Sequence, residues 1–132
     1  MTNEEHIKYW LDGAEHDLEA AESLFKSRKY DWCLFLGHIV LEKALKAHFV
    51  LLNKKVPPKT HNLVKLAAQS KLELTEDKKL LFDEVNDFNL EARYPDYKNE
   101  FYKSCTKDFA GEYFAKIKEN FNWLKSLIES KK

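Results

Sequence analysis

The sequence predicts an all-α protein, an up-and-down four-helix bundle with one additional short helix. Apolar residues recur at steps of three and four over long stretches, and no stretch shows the alternation that is typical of a strand. Glycine and proline are scarce, at three residues each, which favours long helices with few turns between them. A chain of 132 residues fits one domain, so residues 1–132 are expected to form a single unit.

The first predicted helix spans residues 3–27. Its apolar stripe includes Trp10, Leu18 and Phe25, which recur at helical spacing. One acid, Asp17, lies inside this stripe. Because a carboxylate normally avoids an apolar surface, we expect Asp17 to have a partner inside the bundle.

The second predicted helix spans residues 30–53 and is apolar over most of its circumference. A helix with this composition is buried on several sides, so it is either the central helix of the bundle or also part of a dimer interface. Its polar exceptions follow a pattern: His38, Glu42 and Lys46 are four residues apart and form one stripe, with Lys43 beside it.

A short third helix is predicted over residues 61–70. The Pro57-Pro58 pair ends the second helix, and Thr60 is then a suitable N-cap. This arrangement places His61 in the first helical turn, where backbone N–H groups point outward and favour an anion.

Two further helices complete the predicted bundle. Residues 75–92 form the fourth helix, with Thr75 as its N-cap, and residues 106–130 form the last. Pro95 ends the fourth helix, and the aromatic stretch over residues 94–105 is expected to be an irregular loop.

The composition limits the class of function. The 22 basic and 22 acidic residues cancel, so a net positive field for nucleic acid is absent, although a local basic patch remains compatible with the sequence. The polar N-terminus and the charges within the longest apolar run predict neither a signal peptide nor a membrane span. Cys33 and Cys105 are typical of reduced thiols in a cytoplasmic protein. His6, His16 and His48 lack partners at metal spacing, so no metal and no other cofactor is predicted.

Four basic residues form a candidate anion site. Lys43, Lys46, His61 and Arg93 would gather around a phosphate, with Arg93 as the bidentate contact and the lysines as point charges. Tyr94 would be a stacking partner for a base.

Internal ion pairing is the alternative interpretation of the same charges. Asp17 would pair with Arg93 and Glu42 with Lys46, which would make Asp17 and Glu42 parts of a structural polar network. This interpretation is favoured on spacing alone, because ion pairs in helical bundles are commoner than ligand sites.

The predicted loop offers a second mode of binding. Aromatic residues that alternate with lysines can stack and neutralise a single strand, although aromatic residues at the end of a small bundle usually only cover it. The residues concerned are Tyr94, Tyr97, Lys98, Phe101, Tyr102, Lys103 and Lys107.

Four segments of the sequence together resemble the HEPN family (higher eukaryotes and prokaryotes nucleotide-binding). The segments are residues 10–11 with 14–18, the Leu-Glu-Lys-Ala-Leu-Lys-Ala run at 41–47, the Lys-Thr-His-Asn-Leu run at 59–63, and Ala-Arg-Tyr-Pro-Asp at 92–96. Each motif is weak by itself, whereas all four in this order and at these spacings are specific.

The resemblance implies a helical bundle that forms a homodimer and acts around nucleotides or RNA. It also implies a minimal nucleotidyltransferase as partner, in a two-component or toxin–antitoxin pair. Many members are metal-independent RNases that use an Arg followed by a His after four to six residues. Here His38 follows Arg28 by ten positions and no His follows Arg93, so no catalytic residue is predicted.

Three functions remain as hypotheses. The leading one is a non-catalytic module that binds a nucleotide or polyanion and partners a nucleotidyltransferase. The first alternative is an RNase toxin, with His61 and Arg93 acting across a dimer cleft. The second is a purely structural, dimeric protein-interaction module. Net neutrality favours a small nucleotide or a protein partner over long RNA.

Overall fold

Six α-helices make up the regular structure in the computed structural model, which describes residues 1–131 without the side chains of residues 95–98. The helices are α1 (Asn3–Lys26), α2 (Tyr30–Asn53), α3 (Leu63–Gln69), α4 (Glu76–Arg93), α5 (Pro95–Ser104) and α6 (Lys107–Ser130). The all-α prediction is confirmed, and the described residues form no strand. None of these helices is long and apolar enough to cross a membrane.

Helix α2 is the centre of the fold. It packs against each of the other five helices, most extensively against α1 and α6. This position accounts for its nearly all-round apolar surface, the first of the two explanations that the sequence allowed. Gly37 permits the close approach of α6, because a Cβ atom at this position would lie 2.8 Å from Cδ1 of Ile117.

Threonine side chains define where three helices begin. Thr2 accepts from the backbone N–H of Glu5, and the Glu5 side chain accepts in return from the Thr2 backbone, which completes a capping box. Thr75 and Thr106 cap α4 and α6 in the same way, by accepting a backbone N–H three residues on. The four long helices, including α2, whose N-cap Lys29 makes no side-chain hydrogen bond, begin and end within one residue of their predicted limits.

Helix α3 begins later than predicted. Asn62 is its N-cap, since Oδ1 of Asn62 accepts from the backbone N–H of Lys65 at 3.2 Å. Thr60 instead accepts from the backbone N–H of Asn62 at 3.2 Å. His61 therefore precedes the helix and is not in its first turn, so the predicted attraction of an anion by the helix end does not apply to it.

The prediction of an irregular loop over residues 94–105 is wrong, because most of this stretch forms helix α5. Tyr94 has extended backbone angles (φ −101°, ψ 129°), which separate α4 from α5. Pro95 ends α4 as predicted, but it also suits the first turn of a new helix, where its missing N–H costs nothing. Phe101 on α5 is buried, and its ring centroid lies 5.5 Å from that of Phe88. The bundle thus has two short helices instead of one.

His48 on α2 is a buried polar group without compensation. The residue is 2% exposed, and neither of its ring nitrogens has a hydrogen-bond partner among the described residues. Burial lowers the pKa of His48 below its ordinary value of 6.5, and the positive charge of Lys131 lowers it further.

The lowered pKa of His48 predicts a loss of stability in acid. Below pH 6.5 the unfolded chain binds a proton at this residue that the folded chain does not bind, so the free energy of unfolding falls as the pH falls. His48→Leu removes this dependence and the unsatisfied nitrogens, and should stabilise the protein by about 1–2 kcal/mol at pH 7.5. Urea unfolding at pH 7.5 and pH 5 measures both effects.

The exposed His16 on α1 provides the matched control. His16→Leu should leave the difference in stability between the two pH values as it is in the wild type. An equal difference in His48→Leu and in the wild type would contradict the assignment.

Candidate functional site

A continuous chain of polar contacts joins α4 to α2 through the segment that precedes α3. It links, in order, Arg93, Asn89, His38, His61, Glu42 and Lys46. We call these six residues the polar network.

His38 is fully buried at the middle of the polar network. Its Nε2–H donates to the backbone carbonyl of His61 at 2.8 Å, and since a carbonyl can only accept, Nε2 carries the ring proton. Nδ1 is then an acceptor and receives the amide of Asn89 at 3.2 Å. Burial lowers the pKa of His38 and so favours this neutral form, although the Glu42 carboxylate acts in the opposite direction.

Asn89 connects His38 to the exposed end of α4. Because its Nδ2 donates to His38, its Oδ1 faces Arg93 and accepts from Nη1 at 3.2 Å. Among the side chains that the structure describes, Arg93 has no acidic partner within 4.0 Å, and Asn89 is its one hydrogen-bond acceptor. The guanidinium is therefore held in place without a neutralising acid among the described side chains.

Glu42 is the anionic end of the polar network. Its Oε1 lies 2.9 Å from Nδ1 of His61, and its Oε2 accepts from Nζ of Lys46 at 2.9 Å. Glu42 and Lys46 are each 6% exposed, and Nζ of Lys46 also lies 5.2 Å from the ring centroid of Trp10. The predicted Glu42–Lys46 pair is thus present, and it occupies the Lys46 charge inside the bundle.

The other predicted pair forms with a different partner. Oδ2 of Asp17 lies 2.7 Å from Nζ of Lys43, whereas the predicted partner was Arg93. Helix α1 packs directly on α2, so the nearest cation to Asp17 is on α2 and not at the end of α4. This ion pair explains the acid in the apolar stripe of α1, and it occupies Lys43.

A pocket of about 240 Å³ lies beside the polar network, between α4 and the segment before α3. Its lining includes His38, His61, Arg93 and Tyr94, together with three asparagines. Tyr94 is 48% exposed, and the Cζ atom of Arg93 lies 5.9 Å from its ring centroid. The structure therefore brings together three of the five predicted binding residues, and it leaves Lys43 and Lys46 outside the pocket.

The sequence analysis missed the asparagines Asn62, Asn86 and Asn89. One signal was available for Asn89, because it follows Val85 by four residues on the apolar face of α4. An amide at a buried helix position needs partners, and its burial marks it as part of a polar cluster. The predicted stacking residues Tyr97 and Lys98 lie outside the described side chains.

A larger pocket of about 460 Å³ lies between α4 and α6. Its two lysines are already engaged: Lys78 donates to Asn120 at 3.0 Å, and Lys116 donates to Glu112 at 3.4 Å. Volume alone does not identify a site, and the lining of this pocket includes the acids Asp77, Glu84 and Glu119, which disfavour an anion. Among the described residues, no group of three His, Cys, Asp or Glu side chains is placed to hold a metal ion.

The buried ion pair predicts a stability effect. Glu42→Gln leaves the Lys46 ammonium buried without a counter-charge and should lower the free energy of unfolding by about 3 kcal/mol. The double variant Glu42→Gln, Lys46→Met removes both charges and should recover much of this loss. Urea unfolding at neutral pH compares the two, and a single variant as stable as the wild type would rule out the pairing.

Comparison with known proteins identifies the family. A model of the HEPN domain matches residues 7–127 of the chain. The crystal structure of an archaeal HEPN homologue is 25% identical and superposes with a TM-score of 0.71, over 92% of this chain and 97% of that one.

A second structure shares the fold. The crystal structure of a protein from Thermus thermophilus is 22% identical and superposes with a TM-score of 0.62, over 86% of this chain and 96% of that one. No curated protein sequence matches the chain. The family model covers nearly the whole helical region, and on this match the chain belongs to the HEPN domain family.

Proposed function

We propose that the protein is a non-catalytic module that binds a nucleotide or a similar anion in the pocket beside the polar network. The observation that carries the proposal is the Arg93 guanidinium, which faces this pocket without an acidic partner among the described side chains. Membership of the HEPN family, which the resemblance associates with nucleotides, supports the proposal.

Arg93 is suited to hold a phosphate group. A guanidinium has five N–H donors in a planar fork, and Asn89 accepts one of them. None of the others has an acceptor among the described side chains, so they can make bidentate contact with phosphate oxygens. Since Asn89 is fixed by the buried His38, the guanidinium is oriented before a ligand arrives, which lowers the entropic cost of binding.

Tyr94 supports the nucleotide form of the proposal. It is half exposed at the edge of the pocket, next to the cation that would hold the phosphate. A base could stack on its ring while the phosphate contacts Arg93. Lys43 and Lys46 drop out of the proposed site, because Asp17 and Glu42 neutralise them.

The proposal predicts that Arg93→Ala weakens binding of adenosine 5′-monophosphate by roughly tenfold or more, since a charge-assisted contact contributes about 1.5–3 kcal/mol. Calorimetric titration at two salt concentrations measures the change. Lys43→Gln is the control, because Lys43 is paired with Asp17 outside the pocket, and it should leave the affinity nearly unchanged.

Equal losses in the two variants would place the binding elsewhere. Unchanged affinity in Arg93→Ala would mean that the nucleotide does not bind in this pocket.

One observation favours a second candidate, metal-independent RNA cleavage. Glu42 accepts the Nδ1 proton of His61, which leaves Nε2 free to take a proton from an attacking hydroxyl. His61 and Arg93 line the same pocket, although they lack the sequence spacing of the family's RNases. RNA degradation in EDTA by the wild type, lost in His61→Ala, would support this candidate, whereas an intact RNA would eliminate it.

A partnership with a minimal nucleotidyltransferase, in a two-component or toxin–antitoxin pair, completes the proposal. It is supported by the family resemblance, as is the homodimer. Light scattering of the purified protein tests the dimer, and co-purification with a nucleotidyltransferase encoded nearby tests the partnership. A monomer that does not bind such an enzyme would rule out both.

A further inference from the structure

The three asparagines of the pocket determine which chemical groups it can recognise. An asparagine side chain has one acceptor oxygen and one NH₂ group with two donors. Which of these groups remains available to a ligand depends on the hydrogen bonds already formed inside the protein. The contacts of Asn62, Asn86 and Asn89 settle this for each side chain.

The asparagine oxygens are all engaged within the protein. Oδ1 of Asn62 accepts twice, from the backbone N–H of Lys65 at 3.2 Å and from Nδ2 of Asn86 at 3.1 Å. Oδ1 of Asn86 accepts from the backbone N–H of Leu63 at 2.9 Å. Because a backbone N–H can only donate, these contacts fix both amides with their oxygens turned toward the start of α3.

The third oxygen is engaged on the other side of the pocket, where Oδ1 of Asn89 accepts from Arg93 at 3.2 Å. The nitrogens are in a different position. Among the described residues, Nδ2 of Asn62 has no acceptor, and Nδ2 of Asn89 uses one of its two donors on His38. Nδ2 of Asn86 donates to Asn62. The pocket therefore offers unused donors from Asn62, Asn89 and Arg93.

Acceptors are scarce in the same lining. None of its described residues is acidic, and the nearby carboxylate of Glu42 is bound to His61 and Lys46. Nε2 of His61 is an acceptor in this lining, and it stands against the larger number of unused amide and guanidinium donors. Sugar hydroxyls and the amino groups of bases bring their own donors, and these would find few partners here.

From this imbalance we propose that the pocket selects a terminal phosphate monoester. Its three non-bridging oxygens only accept when the group is fully ionised, and they can use more donors than the two oxygens of a phosphodiester. The inference rests on the proposed function and deepens it, since it assigns the phosphate end of the nucleotide to the pocket and excludes the interior of an RNA strand.

The size of the pocket agrees with this assignment. A volume of about 240 Å³ is below the roughly 300–1,000 Å³ of sites that enclose a whole small molecule. A phosphate with part of a sugar fits, and the base then lies outside the pocket, against Tyr94.

Four probes test the inference by calorimetric titration at constant salt: inorganic phosphate, adenosine 5′-monophosphate, adenosine and the dinucleoside phosphate ApA. The first two should bind and compete with each other, and the last two should bind at least about tenfold more weakly. Tighter binding of the nucleotide than of phosphate, reduced in Tyr94→Ala, would identify a nucleotide as the source of the phosphate.

The variant Asn62→Asp tests the donor role directly. Aspartate caps a helix as well as asparagine does, so α3 is preserved, but the free NH₂ group is replaced by a carboxylate oxygen. Binding of phosphate and of the nucleotide should fall by roughly tenfold or more. Gln69→Glu is the matched control, because it adds the same charge at the other end of α3, outside the pocket.

The outcomes separate this inference from the proposed function. If adenosine or ApA binds as tightly as the monophosphate, or if Asn62→Asp binds normally, selection by donors is wrong while nucleotide binding stands. If no probe binds, both are wrong. If the circular dichroism of a variant differs from that of the wild type, the variant is misfolded and the test moves to NMR of the wild type. Phosphate should shift the side-chain amide signals of Asn62, Asn86 and Asn89, and unshifted signals would overturn the inference.

Discussion

The hydrogen bond from His38 to the backbone carbonyl of His61 sets the direction of the contacts around it. Because the carbonyl accepts, the ring of His38 must donate through Nε2 and accept through Nδ1. Asn89 then has one orientation, and with it the guanidinium of Arg93. The buried, neutral imidazole of His38 thus determines, through Asn89, the orientation of the exposed Arg93 guanidinium.

The separation of charges follows from the same arrangement. On the α2 side, Glu42 faces two basic groups and Lys46 is buried with it. On the α4 side, Arg93 is bound only to the neutral amide of Asn89 among the described side chains. The core end of the network is therefore neutralised and contributes stability, whereas the surface end remains able to meet an anion.

The sequence was sufficient for most of the fold, because the helix limits depend on local signals. Periodic apolar residues placed α1, α2, α4 and α6 within one residue, with Thr75 recognised as the cap of α4. The failures had local causes as well, since both Thr60 and Asn62 are suitable caps, and a proline that ends one helix can begin another. The pairing of Asp17 with Lys43 could not be predicted, because it depends on α1 lying next to α2. Residue spacing within one helix does not show which helices are neighbours.

The extended residue between α4 and α5 lies at the site and separates α5 from the continuous helix α4, which bears on how easily α5 can open locally. The helical hydrogen bonds of α4 end with the one from the N–H of Tyr94 to the carbonyl of Leu90, and α5 packs mainly on α4 and only slightly on the central α2. Segments with few contacts to the core open at a lower free energy than the whole molecule. A ligand held by Arg93 and Tyr94 would bind only while α5 is packed on α4, so by mass action it would stabilise that packing. Binding in the pocket would then be visible as slower amide exchange in α5.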